Sequence, residues 1–457
     1  MSTLKVNKLR DTAGSADAIT LDPNGGAVLA GITTVSTLKA TTGIVTTLTA
    51  TTGIVTTFVT NTANVGGGVT ISESGIEASG IGITCANING GQIGGRRNLI
   101  INGAMQVAQR GTSYSGSSAT TGYHTLDRFS IEEGGVDENG TKEQAAVTSG
   151  GAYDSGFRNC LKVTNGNQTG GAGNTDYVQI MQRIEAQNIA NSGWNFLSSS
   201  SFITLSFWIK SSVAQVFSGS VRTADGTEYS YKFDTPSISA DTWTKVIKTI
   251  PGNSNLTFAD DNGLGLSLYI YAFLGTTYTS SNANTETWIT AATDTYANNM
   301  TTTWYTTDNA TFEVTGMQFE VGSNATDFEF RTFGDELALC QRYCCKWWNN
   351  GDTTANHSRF PVGHTNSTSS MAFWLQHPVP MRTTDGKTIT HNIGQIQPIN
   401  QGATQYNPSF TLTADGQQEL ISMVQLGLAS GRTENQIAFF RVGGGQTNWY
   451  LIIANEL

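Results

Sequence analysis

The residues whose types suit chemistry in this chain are large aromatics set among amides and hydroxyls. Between Asn284 and Tyr305 stand Trp288, Tyr296, Trp304 and Tyr305, spaced by Asn, Thr and Asp. Trp347, Trp348, Trp374, Trp449 and Tyr450 follow in the last quarter. Aromatic faces stack on the apolar side of a pyranose, and Asn, Asp and Gln hydrogen-bond its hydroxyls. The same aromatics also serve as core, since Trp is heavily buried on average. Glycan cleavage is the second chemistry to weigh. Asp127, Glu132, Glu133, Asp137 and Glu138 cluster, and Glu320 and Glu329 flank Gly322. A glycosidase needs two carboxylates facing each other across a bond, which sequence spacing does not supply. Solvated or turn-bound carboxylates account for these residues equally well.

Metal and nucleophile signals are weaker still. Asp260-Asp261-Asn262 offers hard oxygen ligands for a structural calcium, yet no EF-hand pattern surrounds it and an Asx turn explains it. Cys85, Cys160, Cys340, Cys344 and Cys345 lack zinc spacing, and the five histidines form no H-E-x-x-H. No G-x-S-x-G is present. The expectation is no catalytic residue, no metal and no cofactor. The odd cysteine count fits synthesis in a reducing cytoplasm with thiols buried as small apolar groups.

The element that must position everything else is a ten-residue repeat. Val35, Val45, Val55 and Val65 fall in register, with Leu38, Leu48 and Phe58 three residues after the first three and Ile44 and Ile54 before the next. Thr, Ala, Gly and Ser fill the rest. Val and Thr are stiff at χ1 and favour extended backbone. One such thread cannot bury a core alone, so its apolar residues call for identical threads around a common axis. Residues 31–95 therefore read as a β-repeat shaft and Gly-rich neck of a homotrimer. A flexible Thr-rich linker is the alternative, and it gives no reason for strict register.

Composition agrees with an all-β protein. The 457 residues include 51 Gly and only 13% charged residues, and runs of helix formers are nearly absent. A net charge of -10 without a basic cluster argues against nucleic acid as a partner. No apolar run is long enough to cross a membrane, and the first residues lack the apolar core of a signal peptide. Residues 1–30 suggest a small hairpin head. Residues 96–331 give successive strands with turn signals between them, as in a jelly-roll sandwich. Ser201 to Lys210 alternates cleanly, with Ile203, Leu205, Phe207 and Ile209 on one face. Residues 332–457 read as one helix, Gly334 to Trp348, and a distal β domain.

Several phrases resemble a known family. NLIINGAMQVAQRGTS, a downstream LDRF (Leu126 to Phe129), TGMQFEVGSNATDFEFRTFGDELALCQRY and HPVPMR (His377 to Arg382) resemble the receptor-binding part of phage tail fibres. The opening MSTLKVNKLRDTAGSADAITL is similar to the N-terminal segment of fibres from phages of marine cyanobacteria. Cys344-Cys345 departs from the family, whose helix continues with aromatics. The resemblance implies an elongated trimeric fibre of the virion, made in the host cytoplasm. Its residues 1–30 would bind a tail or adaptor protein, and its distal end would meet a host polysaccharide or protein. It implies adhesion without catalysis. Alternatives are a capsid-attached adhesion fibre and, from another class, a glycan depolymerase tailspike. Receptor contact is expected mainly in residues 349–457 and secondarily around Trp288 to Tyr305.

Overall fold

The computed structural model describes residues 97–117, 122–280, 285–348, 362–393, 396–398, 409–427, 433–438, 440–442 and 449–457. Before them it describes the backbone of six short strands. The chain divides into two compact units, Met1–Ile83 and Thr84–Leu457. In the first, Lys8–Arg10, Asp17–Leu21 and Ala27–Leu29 form one antiparallel sheet, one strand more than the expected hairpin. Thr62–Val65, Val69–Ser72 and Gly75–Ala78 form another. Val65 ends the first strand of that sheet. The other shaft positions, Val35, Leu38, Ile44, Val45, Leu48, Ile54, Val55 and Phe58, lie outside the described residues.

The second unit is built on two six-stranded antiparallel sheets. The first runs Thr244–Pro251, Phe202–Ser211, Thr311–Val321, Asn159–Thr164, Thr141–Ala146, Ser113–Tyr114 in spatial order. The second runs Trp288–Thr290, Tyr229–Asp234, Ser218–Thr223, Leu264–Leu274, Tyr177–Glu185, Ser130–Gly134. Side chains two apart on a strand share a face. Ile203, Leu205, Phe207 and Ile209 thus meet Val178, Ile180, Leu266 and Leu268 in one apolar core. That face of the strand was expected from the sequence. A two-layer β-sandwich results.

The strand Thr311–Val321 carries a bulge at Gly316. Trp208 pairs with Thr315, yet Ser206 pairs with Gln318, so one strand gains a residue. Gly316 takes φ 63°, where a side chain would be strained and would meet the Phe157 ring at 2.6 Å. The bulge turns the Met317 amide onto the Gly103 carbonyl at 3.0 Å. A Cβ on Gly103 would stand 2.1 Å from the Met317 oxygen, so only glycine allows the approach.

The helix is shorter than the sequence suggests. It spans Phe333–Gln341 and is capped by Thr332, whose hydroxyl accepts from the Asp335 amide. Cys344–Trp348 is a strand, paired in register with Tyr450–Ala454. Cys and Trp are only moderate helix formers, and the pairing satisfies every other backbone group of the segment. The Asn455 amide donates to Tyr343 O at 2.7 Å and the Arg382 amide to Arg342 O at 2.9 Å, closing the helix end. Thr388–His391 completes this three-stranded sheet. A five-stranded sheet around Ser370–Gln376 lies alongside, sharing a second core of Phe373, Leu375, Val424, Leu451 and Ile453.

The phrases that carry the family resemblance converge on one junction. Asn102 receives the Gln106 and Val107 amides and donates to the carbonyls of Val107 and Asp127. Its own amide donates to Glu336 on the helix. Gln109 bridges Asp127 and Cys344 O, and Arg382 of the last phrase holds Asn455 and Glu456. Those segments fasten the C-terminal strand to the sandwich.

Candidate functional site

Strand alternation sorts the aromatic candidates. Trp348 and Tyr450 are directly paired, so both side chains project from the same face of the three-stranded sheet. Trp348 is 53% exposed and Tyr450 half-buried. Lys346, on that face too, lies 5.8 Å from the Trp348 ring and 5.3 Å from the Tyr450 ring. Trp347 and Trp449 project to the other face and pack on the second core. Each adjacent aromatic pair in the sequence therefore gives one core residue and one surface residue.

Of the aromatic candidates in the sandwich, Tyr296 is half-buried while Trp288, Trp304 and Tyr305 are core, which corrects the assignment of those three as a sugar platform. Trp304 is fully buried and its indole donates to Thr311 O at 3.0 Å. Tyr305 is fully buried, stacks on Phe273 at 4.4 Å and donates to Asp176 at 3.1 Å. Trp288 is buried beside Tyr231 and donates to Pro251 O at 2.7 Å. Indole and phenol groups with a partner inside the fold are stable there, and local sequence cannot distinguish that from a loop. Trp374 is exposed, its ring stacked on His364 at 5.2 Å with 17° between planes.

The face bearing Tyr450 closes a cleft of about 700 Å³ against the sandwich. Tyr450, Thr388 and Thr390 form one wall. The other is a flat pair of rings, Tyr114 stacked on His124 with centroids 3.9 Å apart and 15° between planes. Tyr114 sits on the edge strand Ser113–Tyr114, and its hydroxyl donates to Ser117 O at 3.1 Å. Burial, with Lys142 and Arg110 nearby, lowers the His124 pKa and keeps the imidazole neutral. Arg110 crosses the floor, donating to Glu456 at 3.0 Å.

Buried polar atoms line this floor without a hydrogen-bond partner in the protein: Tyr123 Oη, His124 Nε2 and Arg183 Nε. Burial, and secondarily Glu456, pushes the Tyr123 pKa up to about 12, so its hydroxyl stays a donor. Glu132 also reaches the cleft, held by Ser130 Oγ at 3.0 Å and Gln179 Nε2 at 2.9 Å. Flat apolar rings beside unpaired polar atoms suit a polyhydroxylated ligand, whose hydroxyls both donate and accept. Sequence reasoning missed Tyr114, Tyr123 and His124. Their one local signal is a Tyr-His pair at the end of a Ser/Thr/Gly-rich stretch of sequence.

The other carboxylates are occupied within the fold. Glu133 pairs with Lys142 at 2.5 Å, and Asp127 accepts from Gln109 at 2.5 Å. Glu320 holds Thr326, and Glu329 holds the Asn98 amide. Asp137 and Glu138 accept the amides of Gly170 and Asn167. Asp261 accepts from the Gly263 amide at 2.8 Å in an Asx turn, and Asp260 from Asn191. No group of three metal-ligating side chains gathers among the described residues. Cys160, Cys340, Cys344 and Cys345 are buried free thiols.

No family model and no curated protein matches the sequence. Among solved structures, the chain is similar to the enzymatically active domain of tailspike protein 4 from bacteriophage CBA120. The identity is 10% and the TM-score 0.25, covering 45% of this chain but only 21% of the tailspike. It is also similar to the family 11 carbohydrate-binding module of Clostridium thermocellum. There the identity is 15% and the TM-score 0.20, over 46% of this chain and 96% of the module. A tandem carbohydrate-binding domain from Paenibacillus barcinonensis matches at 9% identity and TM-score 0.23, over 77% of this chain and all of that one. With TM-scores below 0.5, none of these likenesses bears on function.

Proposed function

We propose that this chain is the subunit of a phage virion fibre that adsorbs to the host surface by binding glycan. The observation that carries the proposal is the cleft, where the Tyr114–His124 stack faces Tyr450 over a floor of unpaired buried polar atoms. The fibre context rests on the sequence phrases and on the repeat between Val35 and Val65. In this reading three chains assemble through the shaft, residues 1–30 engage the particle, and each trimer presents three clefts. Weak sites become strong attachment by multivalency.

The proposed action is binding without cleavage. Glu456 is ion-paired to both Arg110 and Arg128. Glu132 is fixed by two hydrogen bonds. Both carboxylates are thus held by partners inside the fold rather than standing free on either side of a bond to be cleaved. The experiment is competition: purified protein should block adsorption of the phage to its host, and Tyr114→Ala with Tyr450→Ala should lose that ability at unchanged melting temperature. Full competition by the double variant would overturn the assignment of the site. Shortening of host polysaccharide during incubation would replace binding with depolymerisation.

A further inference from the structure

Beyond Glu132 the outer face of the second sheet carries further amide and aromatic side chains. Glu132 is paired in register with Gln179, and the two side chains are hydrogen-bonded at 2.9 Å. Tyr177 lies two residues before Gln179, on the same face and roughly 7 Å along the strand. Gly134 is its partner in register, and a Cβ there would stand 2.2 Å from the Tyr177 ring. The missing side chain gives the ring its seat. Gln179 and Tyr177 also line a second depression of about 200 Å³ with Leu274, Tyr278 and Tyr296. Its rings meet edge to face, Tyr177 to Tyr278 at 5.8 Å and Tyr278 to Tyr296 at 6.3 Å. Arg222 braces Tyr296 from 3.8 Å.

Packing accounts for part of this cluster only. Tyr271, Leu274 and Ala297 are its buried floor, and Tyr271 shares a hydrogen bond with Ser220 at 2.7 Å. Tyr177, Tyr278 and Tyr296 stand above the floor, half-buried with part of each ring accessible. Rings locked by edge contacts lose little freedom on binding, which makes them efficient stacking surfaces.

We infer that the two depressions are subsites of one groove, joined across the Gln179–Glu132 hydrogen bond, and that the groove takes an internal stretch of a polysaccharide several rings long. One end of the stretch stacks on the Tyr177, Tyr278 and Tyr296 platform, and the other enters between Tyr114 and Tyr450. Gln179 and Glu132 meet the hydroxyls midway. The inference rests on the glycan-binding reading and adds to it the ligand's length and course.

A glycan array graded from monosaccharides to octasaccharides, with neutral and uronic-acid series, tests the inference on the full chain. Host surface polysaccharide and its size-fractionated fragments are probed in parallel. Retention by the native protein should rise steeply once the oligomer is long enough to span both subsites. Tyr177→Ala should cut retention of long oligomers by roughly tenfold and leave short ones unchanged. Gly134→Ala, which unseats the Tyr177 ring without removing it, should do the same. Tyr114→Ala should weaken both lengths. Melting temperatures within a few degrees of native keep the comparison valid, and Tyr296→Ala replaces any variant that unfolds. If Tyr177→Ala, Gly134→Ala and Tyr296→Ala retain all lengths like the native protein while Tyr114→Ala loses them, the second subsite is overturned and glycan binding stands. If the native protein retains no glycan of either source, both readings fall.

Discussion

The Arg128 guanidinium lies over the Tyr343 ring, its central carbon 3.4 Å from the ring centroid. The same group pairs with Glu456 and donates to Arg183 O at 2.7 Å. Arg128 holds a backbone φ of 71° and is 1% exposed. A bulky residue adopts that backbone rarely, and here three attachments over-determine it. Sandwich, helix and C-terminal strand are joined at this one side chain, and the cleft walls depend on the joint.

Replacing Arg128 by Met should therefore destabilise strongly. Glu456, 11% exposed at its side chain, would keep only Arg110 as partner. Breaking a buried pair costs about 3–5 kcal/mol. Glu456→Gln keeps one acceptor oxygen for one arginine and sets its amide NH2 against the other, and should cost about 1–3 kcal/mol. Denaturant unfolding of the full chain measures both, and R128M unfolding at the native midpoint would refute the joint.

Two buried groups give opposite pH dependences. Burial raises the Asp127 carboxyl to about 6, against the opposing effects of Arg110 and Gln109. Its folded pKa exceeds the unfolded one, so its contribution is full below about 4 and is lost as pH rises to about 6. Burial, reinforced by Lys387, lowers His377 to about 4, where its Nε2 meets Ser422 Oγ at 2.8 Å. Its contribution is full above about 6.5 and is lost as pH falls toward 4. Relative to the native chain, melting curves between pH 4 and 7 should lose a rise with pH in His377→Gln and lose a fall with pH in Asp127→Asn. Parallel curves for both variants and the native chain would contradict these shifts.

What the sequence made legible follows from range. Ser201 to Lys210 alternates, and alternation depends only on neighbours two apart. The helix end was misplaced because Cys344–Trp348 becomes a strand through Tyr450–Ala454, about a hundred residues away. The cleft is less local still. Tyr114 and His124 stand ten residues apart in the sequence and meet only as a ring stack, and Tyr450 arrives through the three-stranded sheet. Burial of Trp304 and Tyr305 is set by partners such as Thr311 O and Asp176, which no spacing announces.

Alanine substitutions should separate the aromatic candidates into two classes. Trp304→Ala empties a fully buried site and should cost about 3–5 kcal/mol. Trp348→Ala and Trp374→Ala remove exposed rings and should stay within about 0.5 kcal/mol. Adsorption assays on the two exposed variants then report on recognition alone. Loss of adsorption in W348A would extend the cleft along the Lys346 face, and in W374A would place a contact on the five-stranded sheet.

The last prediction concerns valency. Val35, Val45 and Val55 with Leu38, Leu48 and Phe58 offer two or three apolar side chains per repeat, too few for one chain to bury alone. Valine 45 and leucine 48 replaced together by Asp would set charges against the shared axis, where burial without a partner is prohibitive. The variant should run as a monomer in light scattering while the native protein runs as a trimer. Its sandwich should still melt cooperatively, since Thr84–Leu457 is a compact unit of its own. Single-cleft affinity for an oligosaccharide should then equal that of the native protein, while competition for host cells falls steeply through lost avidity. A native protein that runs as a monomer would remove the trimer from the proposal. Equal competition by monomer and trimer would show that one cleft suffices, and that adsorption does not depend on multivalency.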